Sequence, residues 1–495
     1  MPSSPDQPFS LKAFHKAELP VPVLNRDRTI TTVTVVGGGV AGLSAACALA
    51  DAGFQVTILE RRSYLGGRAS SYLHPGTGEV IDNCQHVLFG CCTNLIDLYQ
   101  RIGVAGKIFW DSSMTMIEPG GRRSVLAPSG LPSPLHGLPA ILKSTCFSFK
   151  DKLSLMFAFG AILLGPKPDP DRSLLDWLES HRQSSGALER FWRLVIASAL
   201  NADLDQISLP FAVKVIRQVF LNSARAGAMG MSTIPLSDLY GAAQKYLEVR
   251  RSRIQFNANV ESADWNENKK SWSIQTRDGE FKSEMLILAL PFEATAKLIP
   301  RLPNTEMAAR LCSRIQSLQN WPICSVHLWF DQEITELDHA VLLDSDIHWM
   351  YHKSRWQPQR DSNASYIELV ISASREFASL TREQALNRAL SQLADFFPKV
   401  KDAKLIKSAF IKEMRATANV PPGADFVPPG AKSPWPNCFL AGDWTGTGWA
   451  STMESAARSG YKAAEALCRS LNDPSKFLVP DLRPKGFMRF LARNE

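Results

Sequence analysis

The fold is decided by the stretch Thr32-Val-Thr-Val-Val-Gly-Gly-Gly-Val-Ala-Gly42. Its first five residues are all β-branched and predict a buried strand, which ends at three consecutive glycines. After the glycines, apolar residues recur at helical spacing as far as Gly53, and an apolar run over residues 54–60 predicts a second strand. A strand, a helix and a strand in this order predict a parallel sheet, and therefore an α/β fold class.

Glycine spacing in this stretch indicates what the turn binds. The glycines follow a Gly-x-Gly-x-x-Gly pattern between the strand and the helix. In that position the first glycine permits a tight turn, the second lets backbone approach a pyrophosphate, and the third allows close packing of helix on strand. The free N–H groups of the helix N-terminus favour the phosphates. We therefore assign the loop to a dinucleotide cofactor, with these contacts: Gly37, Gly38, Gly39, Ala41 and Gly42.

A second motif identifies the dinucleotide. Glu60 ends the second predicted strand, where a carboxylate can accept hydrogen bonds from both ribose hydroxyls. The run Glu60-Arg-Arg-Ser-Tyr-Leu-Gly-Gly-Arg68 resembles the second fingerprint of the flavin-dependent amine oxidase and phytoene desaturase superfamily. The resemblance implies FAD as the cofactor and a Rossmann-type, glutathione-reductase-like FAD-binding domain. It also implies cofactor contacts from four residues of this run: Arg61, Gly66, Gly67 and Arg68.

The C-terminal part of the chain carries a partner motif. The run Phe439-Leu-Ala-Gly-Asp-Trp-Thr-Gly-Thr-Gly448 and residues 453–460 are similar to the carboxy-terminal FAD element of the same superfamily. By that resemblance, Gly442 lies in the element and Asp443 accepts from the ribityl chain or holds a phosphate-bound water. A helix that begins near Met453 directs its positive end at the flavin.

Three further segments narrow the resemblance. Residues 81–92, 200–203 and 234–240 look like blocks of the hydroxysqualene dehydroxylases, a squalene-associated branch of the superfamily. The resemblance implies reductive removal of the hydroxyl of hydroxysqualene to give squalene for hopanoid synthesis, with reduced FAD supplying the hydride. Cys84 and Gly446 stand where that branch has Gly and Asp.

Departure of the hydroxyl as water requires an acid. Asp82 and His86 are four residues apart in a segment expected near the flavin face, so either is a candidate for that acid. The alternative reading of both side chains, that they hold the loop backbone by hydrogen bonds, stays open.

Patterning along the chain predicts two interleaved domains with an arm and a tail. The FAD-binding domain takes residues 31–110, 236–300 and 430–470. A mixed α+β substrate domain with an apolar helical entrance takes residues 111–235 and 301–429. The flexible N-terminal arm is residues 1–30, and the basic-aromatic C-terminal tail is residues 471–495.

Three predicted strands, residues 253–260, 271–276 and 284–290, look like a meander that returns to a buried strand. Val260 lies in the first of them. It matches the position whose backbone meets the adenine in relatives of the superfamily.

The substrate half suits a long, apolar isoprenoid. Residues 141–165 combine aromatic and aliphatic side chains with lysines, and residues 485–493 have a similar basic-aromatic pattern. Because such a substrate partitions into bilayers, this pattern predicts peripheral contact with the inner face of the cytoplasmic membrane. A core helix and a packed terminal segment are the alternatives that stay open.

Composition excludes several classes of protein. The 495 residues are 45% hydrophobic and 21% charged, which is typical of a globular chain and excludes disordered, collagen-like and coiled-coil proteins. A net charge of +7 is no argument for nucleic acid. The nine cysteines form no CxxC pair, which favours a reduced, cytoplasmic protein without a metal site.

The leading hypothesis is therefore an FAD-dependent hydroxysqualene dehydroxylase-like oxidoreductase. A phytoene-type desaturase, which moves hydride from an isoprenoid to oxidised FAD, needs the same cofactor loop and apolar tunnel. A non-catalytic FAD-fold carrier of prenyl lipids is a third hypothesis. The sequence determines neither the reductant of the flavin nor the oligomeric state.

Overall fold

The computed structural model describes residues 31–165, 169–357, 365–424 and 426–491. The predicted N-terminal arm, residues 1–30, lies outside these ranges, as do the last four residues of the predicted tail. The described strands, in chain order, are β1 (Thr32–Val36), β2 (Gln55–Leu59), β3 (Ser71–Leu73), β4 (Val80–Asp82), β5 (Val87–Phe89), β6 (Ile108–Asp111), β7 (Met114–Ile117), β8 (Arg123–Leu126), β9 (Met229–Ser232), β10 (Arg253–Gln255), β11 (Val260–Asn266), β12 (Ser271–Thr276), β13 (Gly279–Ser283), β14 (Met285–Leu288), β15 (Gln319–Phe330), β16 (His339–Leu342), β17 (Trp349–His352), β18 (Ser365–Ser372), β19 (Leu405–Asn419) and β20 (Cys438–Leu440).

The described α-helices, in chain order, are α1 (Val40–Asp51), α2 (Thr93–Arg101), α3 (Leu138–Lys143), α4 (Phe149–Leu164), α5 (Leu174–Ser180), α6 (Ser185–Ala187), α7 (Ser198–Leu200), α8 (Leu209–Ile216), α9 (Leu236–Glu248), α10 (Phe292–Leu298), α11 (Glu306–Gln316), α12 (Arg375–Ser379), α13 (Arg382–Phe396), α14 (Met453–Ser470) and α15 (Met488–Leu491). Two further segments, Leu188–Ala197 and Arg217–Leu221, are π-helical. They pack with α4 and α5 in one helical layer. Short 3₁₀ turns lie at Ala105–Lys107, Leu135–Gly137, Ile299–Arg301, Lys353–Arg355 and Pro398–Lys401.

A five-stranded parallel sheet carries the N-terminal motif. Its strand order is β10-β2-β1-β14-β20, so β1 is central and the last strand comes from the C-terminal part of the chain. Val33 and Val35 pack towards α1 and α14, whereas Val36 packs in the core on the opposite face with β12, α10 and α11. Burial on both faces explains why β1 is β-branched throughout. The predicted α/β class is confirmed.

The predicted meander begins later than the sequence indicated. Residues 253–255 form β10, which pairs in parallel with β2, and the backbone of Asn257 has a φ of +58° that ends this strand. The antiparallel meander is β11-β12-β13 and starts at Val260. The predicted strand over residues 253–260 therefore serves two sheets, and the four residues 256–259, which include the left-handed Asn257, separate its two parts.

A seven-stranded mixed sheet forms the second layer system. Its order is β19-β15-β18-β17-β16-β7-β8. One face packs on α13, and the other packs on the helical layer that contains α4 and α5. The strands of the two large sheets come from the two sets of segments assigned to the two domains, while the domain boundaries themselves stay a prediction.

Two glycines let the main chain close around β1. A Cβ on Gly42 would lie 1.9 Å from the carbonyl oxygen of Gly37, and a Cβ on Gly460 would lie 2.2 Å from that of Ala41. Both neighbours are backbone atoms, which cannot rotate aside. Helix α14 therefore packs against α1 with main chain in direct contact, and this closeness places the last helix beside the glycine loop.

We expect Gly460→Ala to lower the midpoint of thermal unfolding. Helix propensity favours Ala over Gly by about 1 kcal/mol, but overpacking costs about 1–3 kcal/mol. Because the added Cβ would overlap the Ala41 carbonyl oxygen, we expect the net effect on stability to be unfavourable. Gly241→Ala in α9 is the matched control, because nothing lies within 4 Å of the added Cβ. Its midpoint should stay or rise. Equal midpoints for the two variants would contradict the proposed close packing.

Candidate active site

A cavity of about 1330 Å³ reaches both the glycine loop and the helical layer on the seven-stranded sheet. Ordinary small-molecule sites occupy roughly 300–1,000 Å³. The larger volume leaves room for a dinucleotide and a second molecule together. The two parts of its lining differ in chemistry.

Most of the residues predicted to bind the cofactor line one part of this cavity. They are Gly37, Gly39, Ala41, Glu60, Arg61, Gly66, Gly67, Arg68, Val260, Gly442, Asp443 and Met453. Gly38 and Gly42 stand behind them: the Gly38 N–H donates to the Glu60 carboxylate, and Gly42 packs on Gly37. Residues from four distant parts of the chain therefore form one surface, and their individual contacts to the cofactor stay predictions.

The loop after β1 is suited to a phosphate group. Gly39 is the N-cap of α1 and has no side-chain cap, and the first turn contains no acidic residue. The N–H groups at this helix end are therefore free to bind an anion. The Gly39 backbone pairs with that of Gly66, and a Cβ on Gly67 would lie only 3.0 Å from the Gly39 Cα. Two backbone segments thus form a cradle without side chains.

Glu60 is held in one orientation by backbone donors. Its Oε2 accepts from the Gly38 N–H at 2.7 Å, and its Oε1 accepts from the Arg62 N–H at 2.8 Å. The side chain is buried at the carboxyl end of β2. Carboxylate oxygens have further lone pairs, so this arrangement can still accept from ribose hydroxyls.

Arg68 and Asp443 meet although they are far apart in sequence. Arg68 Nη2 lies 2.5 Å from Asp443 Oδ1, and Arg68 Nη1 donates to the Ala416 carbonyl at 3.1 Å. The Ser451 hydroxyl donates to the second carboxylate oxygen of Asp443. The second fingerprint and the C-terminal motif are therefore joined by a charged hydrogen bond at the cavity wall, a pairing that neither motif indicates alone.

The other part of the cavity is apolar. Its walls come from α4, the π-helical segments, β9 and the seven-stranded sheet, and include Phe159, Leu163, Phe191, Phe220, Met229 and Trp349. Most of these side chains belong to or pack against one hydrophobic core cluster. This compartment can bury a long hydrocarbon and offers it few polar groups.

A polar loop lies where the two compartments meet. Residues 83–87 line the cavity between β4 and β5. At one end the Asn83 Nδ2 donates to the Arg68 carbonyl at 2.5 Å, and at the other end Val87 packs against the apolar cluster. Among the described residues, the buried Asn83 Oδ1 has no hydrogen-bond partner. An unpaired buried acceptor is costly, and a ligand that donates to it would remove that cost.

His86 faces the cavity as a neutral imidazole. Its Nδ1 donates to the Cys84 carbonyl at 2.7 Å. Burial lowers the pKa of His86, and this hydrogen bond opposes the shift only in part. With the proton on Nδ1, Nε2 is an acceptor at neutral pH. The role of His86 as an acid stays a prediction, and it requires the imidazole to gain a proton first.

Asp82 lies behind the loop and is not among the residues that line the cavity. Its carboxylate accepts from Lys353 Nζ at 2.6 Å, from the Ser71 hydroxyl at 2.5 Å and from the Leu236 N–H at 3.2 Å. Burial alone would raise the pKa of Asp82, but Lys353 and these hydrogen bonds hold it below its usual range. The carboxylate of Asp82 therefore faces Lys353 rather than the cavity, and its role as an acid stays a prediction.

Sequence reasoning missed the buried cation under the loop. Lys353 is 1% exposed. Its Nζ donates to Asp82 Oδ2 and, at 2.7 Å, to Gln85 Oε1, and it lies 3.5 Å from Glu368 Oε2. Lys353 follows β17 in a polar stretch that gave no signal. Glu368 does give a signal of a buried charge in the sequence, because it is an acidic residue inside the otherwise uncharged β18. Such a residue requires a buried partner.

We expect Lys353→Met to destabilise the protein by about 3–5 kcal/mol, because two buried carboxylates lose their counter-ion. Lys407→Met is the matched control. Lys407 pairs with Glu79 at 2.5 Å, but both side chains are about one third exposed, so that loss should be about 0–1 kcal/mol. Chemical unfolding measures both. Similar losses of unfolding free energy for the two variants would show that the buried charge cluster contributes no more to stability than an exposed ion pair.

Glu368 should make stability depend on pH. Burial raises the pKa of Glu368 to about 7, although Lys353 opposes the shift. Its favourable contribution is complete below the unfolded-state pKa of about 4.3 and is lost as the pH rises through 7. The glutamine of Glu368→Gln is neutral at every pH, so only the unmodified protein loses this contribution. The midpoint of the variant minus that of the unmodified protein should therefore rise between pH 5 and pH 8. The exposed Glu306→Gln should show no such trend, and a flat difference for Glu368→Gln would contradict the assignment.

Comparisons with known proteins place the chain in a family. The chain matches the family model described as flavin containing amine oxidoreductase over residues 40–468. It is 25% identical to a 15-cis-phytoene desaturase of Synechococcus elongatus over 455 residues, covering 88% of this chain and 95% of that protein. It is 27% identical to a zeta-carotene desaturase of Synechocystis sp. over 485 residues, covering 88% and 96%.

Solved structures show the same fold. Putrescine oxidase bound to putrescine aligns with a TM-score of 0.67 and 16% identity, covering 89% of this chain and 99% of that chain. Cyclohexylamine oxidase from Brevibacterium oxydans aligns with a TM-score of 0.63 and 17% identity, covering 90% and 100%. The predicted cofactor, FAD, is confirmed. The chain therefore belongs to the flavin-containing amine oxidoreductase family and is an FAD-dependent oxidoreductase.

Proposed function

We propose that this protein removes the hydroxyl of hydroxysqualene by reduction, giving squalene. The observation that carries the proposal is the single cavity in which the FAD cradle and an apolar compartment meet at the polar loop 83–87. A long isoprenoid fits the apolar part, and its one polar group fits the junction. The motif blocks at 81–92, 200–203 and 234–240 support the same substrate.

Bound FAD supplies hydride-transfer chemistry. In the substrate the C–O bond breaks, the oxygen leaves as water after taking one proton, and the carbon takes the hydride. The residues proposed to bind and orient the hydroxyl are Asn83 and His86, which both line the cavity. Asn83 Oδ1 is buried and unpaired, so it can accept from the hydroxyl only once its side chain turns towards the cavity. His86, once protonated, is the proposed donor to the leaving oxygen.

A carotenoid-type desaturase is the second candidate, and the desaturase relatives favour it. It uses the same cradle and compartment, but hydride moves from the isoprenoid to oxidised FAD. A pure hydrocarbon cannot donate a hydrogen bond to Asn83, so the Asn83 acceptor would stay unpaired in a complex with a desaturase substrate. That difference is the reason for preferring the hydroxylated substrate.

The test is anaerobic. The holoenzyme is photoreduced, hydroxysqualene is added, and the oxidised flavin band is followed together with squalene in lipid extracts. We expect the band to recover with formation of squalene, and His86→Gln to slow recovery about 100-fold, as for loss of a general acid. His74→Gln is the matched control, because His74 is not among the residues that line the cavity. It should leave the rate nearly unchanged.

Other outcomes decide between the candidates. A band that stays bleached in an FAD-containing protein rejects the dehydroxylase. Bleaching of the oxidised enzyme by phytoene would then establish the desaturase. Tightly held FAD without turnover on either substrate would favour the carrier.

A further inference from the structure

Helix α4 has an apolar stripe on its outward side. Residues 149, 153, 156, 157 and 164 follow helical spacing along this stripe, and all are aromatic or aliphatic. Phe149 is 76% exposed, Phe157 is 61% exposed and Leu164 is 87% exposed. The opposite stripe, which includes Leu155 and Ile162, is buried in the core. A surface helix normally has polar residues on its outward side, so this arrangement requires an explanation.

Two other segments extend the stripe into a continuous apolar face. Leu131 and Leu135 are exposed in the turn before α3, and Leu142 is exposed at the end of α3. In the tail the Phe487 N–H donates to the Ser133 carbonyl, which places Phe487 and Phe490 beside that turn. We define the apolar face as residues 131–135, 142–164 and 487–490. Lys152 Nζ donates to the Leu142 carbonyl and joins α3 to α4.

The cavity reaches the surface at this face. Leu135 and Met156 each line the cavity and are each about 40% exposed. Ile141 and Phe159, their neighbours in the lining, are half-buried. The apolar compartment therefore continues into the apolar face without an intervening ring of charged side chains.

The chain segments that form the face carry charge of almost one sign. Residues 127–165 and 482–491 contain six cationic side chains: Lys143, Lys150, Lys152, Arg483, Lys485 and Arg489. They contain one acidic residue, Asp151, which is buried and accepts hydrogen bonds from Ser148 and Ser184. A second copy of the chain would bring these cations against one another, which is unfavourable. An anionic surface would not.

We propose that the apolar face docks on an anionic lipid bilayer, with its aromatic side chains in the acyl region and its cations at the headgroups. No helix in the described ranges is long and apolar enough to cross a bilayer, so contact is with one leaflet. Docking would place the cavity mouth within the hydrocarbon. The further idea that substrate enters from the leaflet rests on the proposed function, whereas the docking itself does not.

Vesicle co-sedimentation tests docking without any substrate. The FAD-loaded protein is mixed with vesicles of phosphatidylcholine alone or with 30 mol% phosphatidylglycerol (about one lipid in three, to give an anionic surface). We expect binding to the anionic vesicles that weakens with salt. The double variant Phe149→Ser/Phe157→Ser should lose at least about 10-fold in affinity, because two large apolar side chains no longer insert.

Matched controls exclude general effects. Val249→Ser/Met307→Ser removes two side chains that are 72% and 67% exposed outside the apolar face, and it should bind vesicles as the unmodified protein does. FAD content and unfolding midpoint should be unchanged in both double variants. Equal loss in both would overturn the proposal, as would absence of vesicle binding by the unmodified protein.

Sedimentation velocity tests the competing occupant. A dimer that dissociates in Phe149→Ser/Phe157→Ser, with no vesicle binding, would show that a second copy covers the face and would overturn the proposal. A monomer that binds vesicles supports it. Activity on detergent-dispersed hydroxysqualene, measured separately, tells failure of docking apart from failure of the proposed reaction.

Discussion

Direct main-chain contact around β1 is the constraint on which the cofactor half depends. Gly42 and Gly460 lack side chains where a Cβ would overlap a carbonyl oxygen, so α1 and α14 can approach each other and the loop after β1. Only then do Glu60 and Asp443, which belong to different motifs, line the same cavity. The shape of the cradle therefore depends on the absence of side chains at Gly42 and Gly460 as well as on the polar side chains that line it.

A buried charge cluster connects this half to the second sheet. Lys353 bonds Asp82 and Gln85 on either side of Asn83, and the Ser325 hydroxyl on β15 donates to the Asn83 carbonyl. The polar loop is thus fixed to the seven-stranded sheet at three points while its other surface lines the cavity. A buried ion cluster adds little net stability by itself, but it penalises any alternative position of the loop. Such a loop can present Asn83 and His86 to a ligand in a defined orientation.

The two parts of the cavity suit two different molecules, a charged cofactor and an apolar substrate. Backbone donors, Glu60 and the Arg68–Asp443 pair suit a charged cofactor, whereas the aromatic compartment suits a hydrocarbon that is poorly soluble in water. The apolar face at the cavity mouth continues the apolar lining of this compartment to the molecular surface. A substrate with one hydroxyl and a long hydrocarbon chain satisfies both compartments, which is why a hydroxylated isoprenoid is the proposed substrate.

The sequence by itself determined the parallel sheet and the position of the cofactor loop, because β-branched runs and glycine spacing act within a few residues of one another. The FAD assignment came from the resemblance of short motifs to the flavin-dependent superfamily. Tertiary structure decided the rest. It placed β10 in the parallel sheet, because the left-handed Asn257 ends that strand before the meander. It paired Arg68 with Asp443, and it turned Asp82 away from the cavity and towards Lys353. These pairs are separated by hundreds of residues, and local patterns carry no information about which distant side chain will neutralise a buried charge.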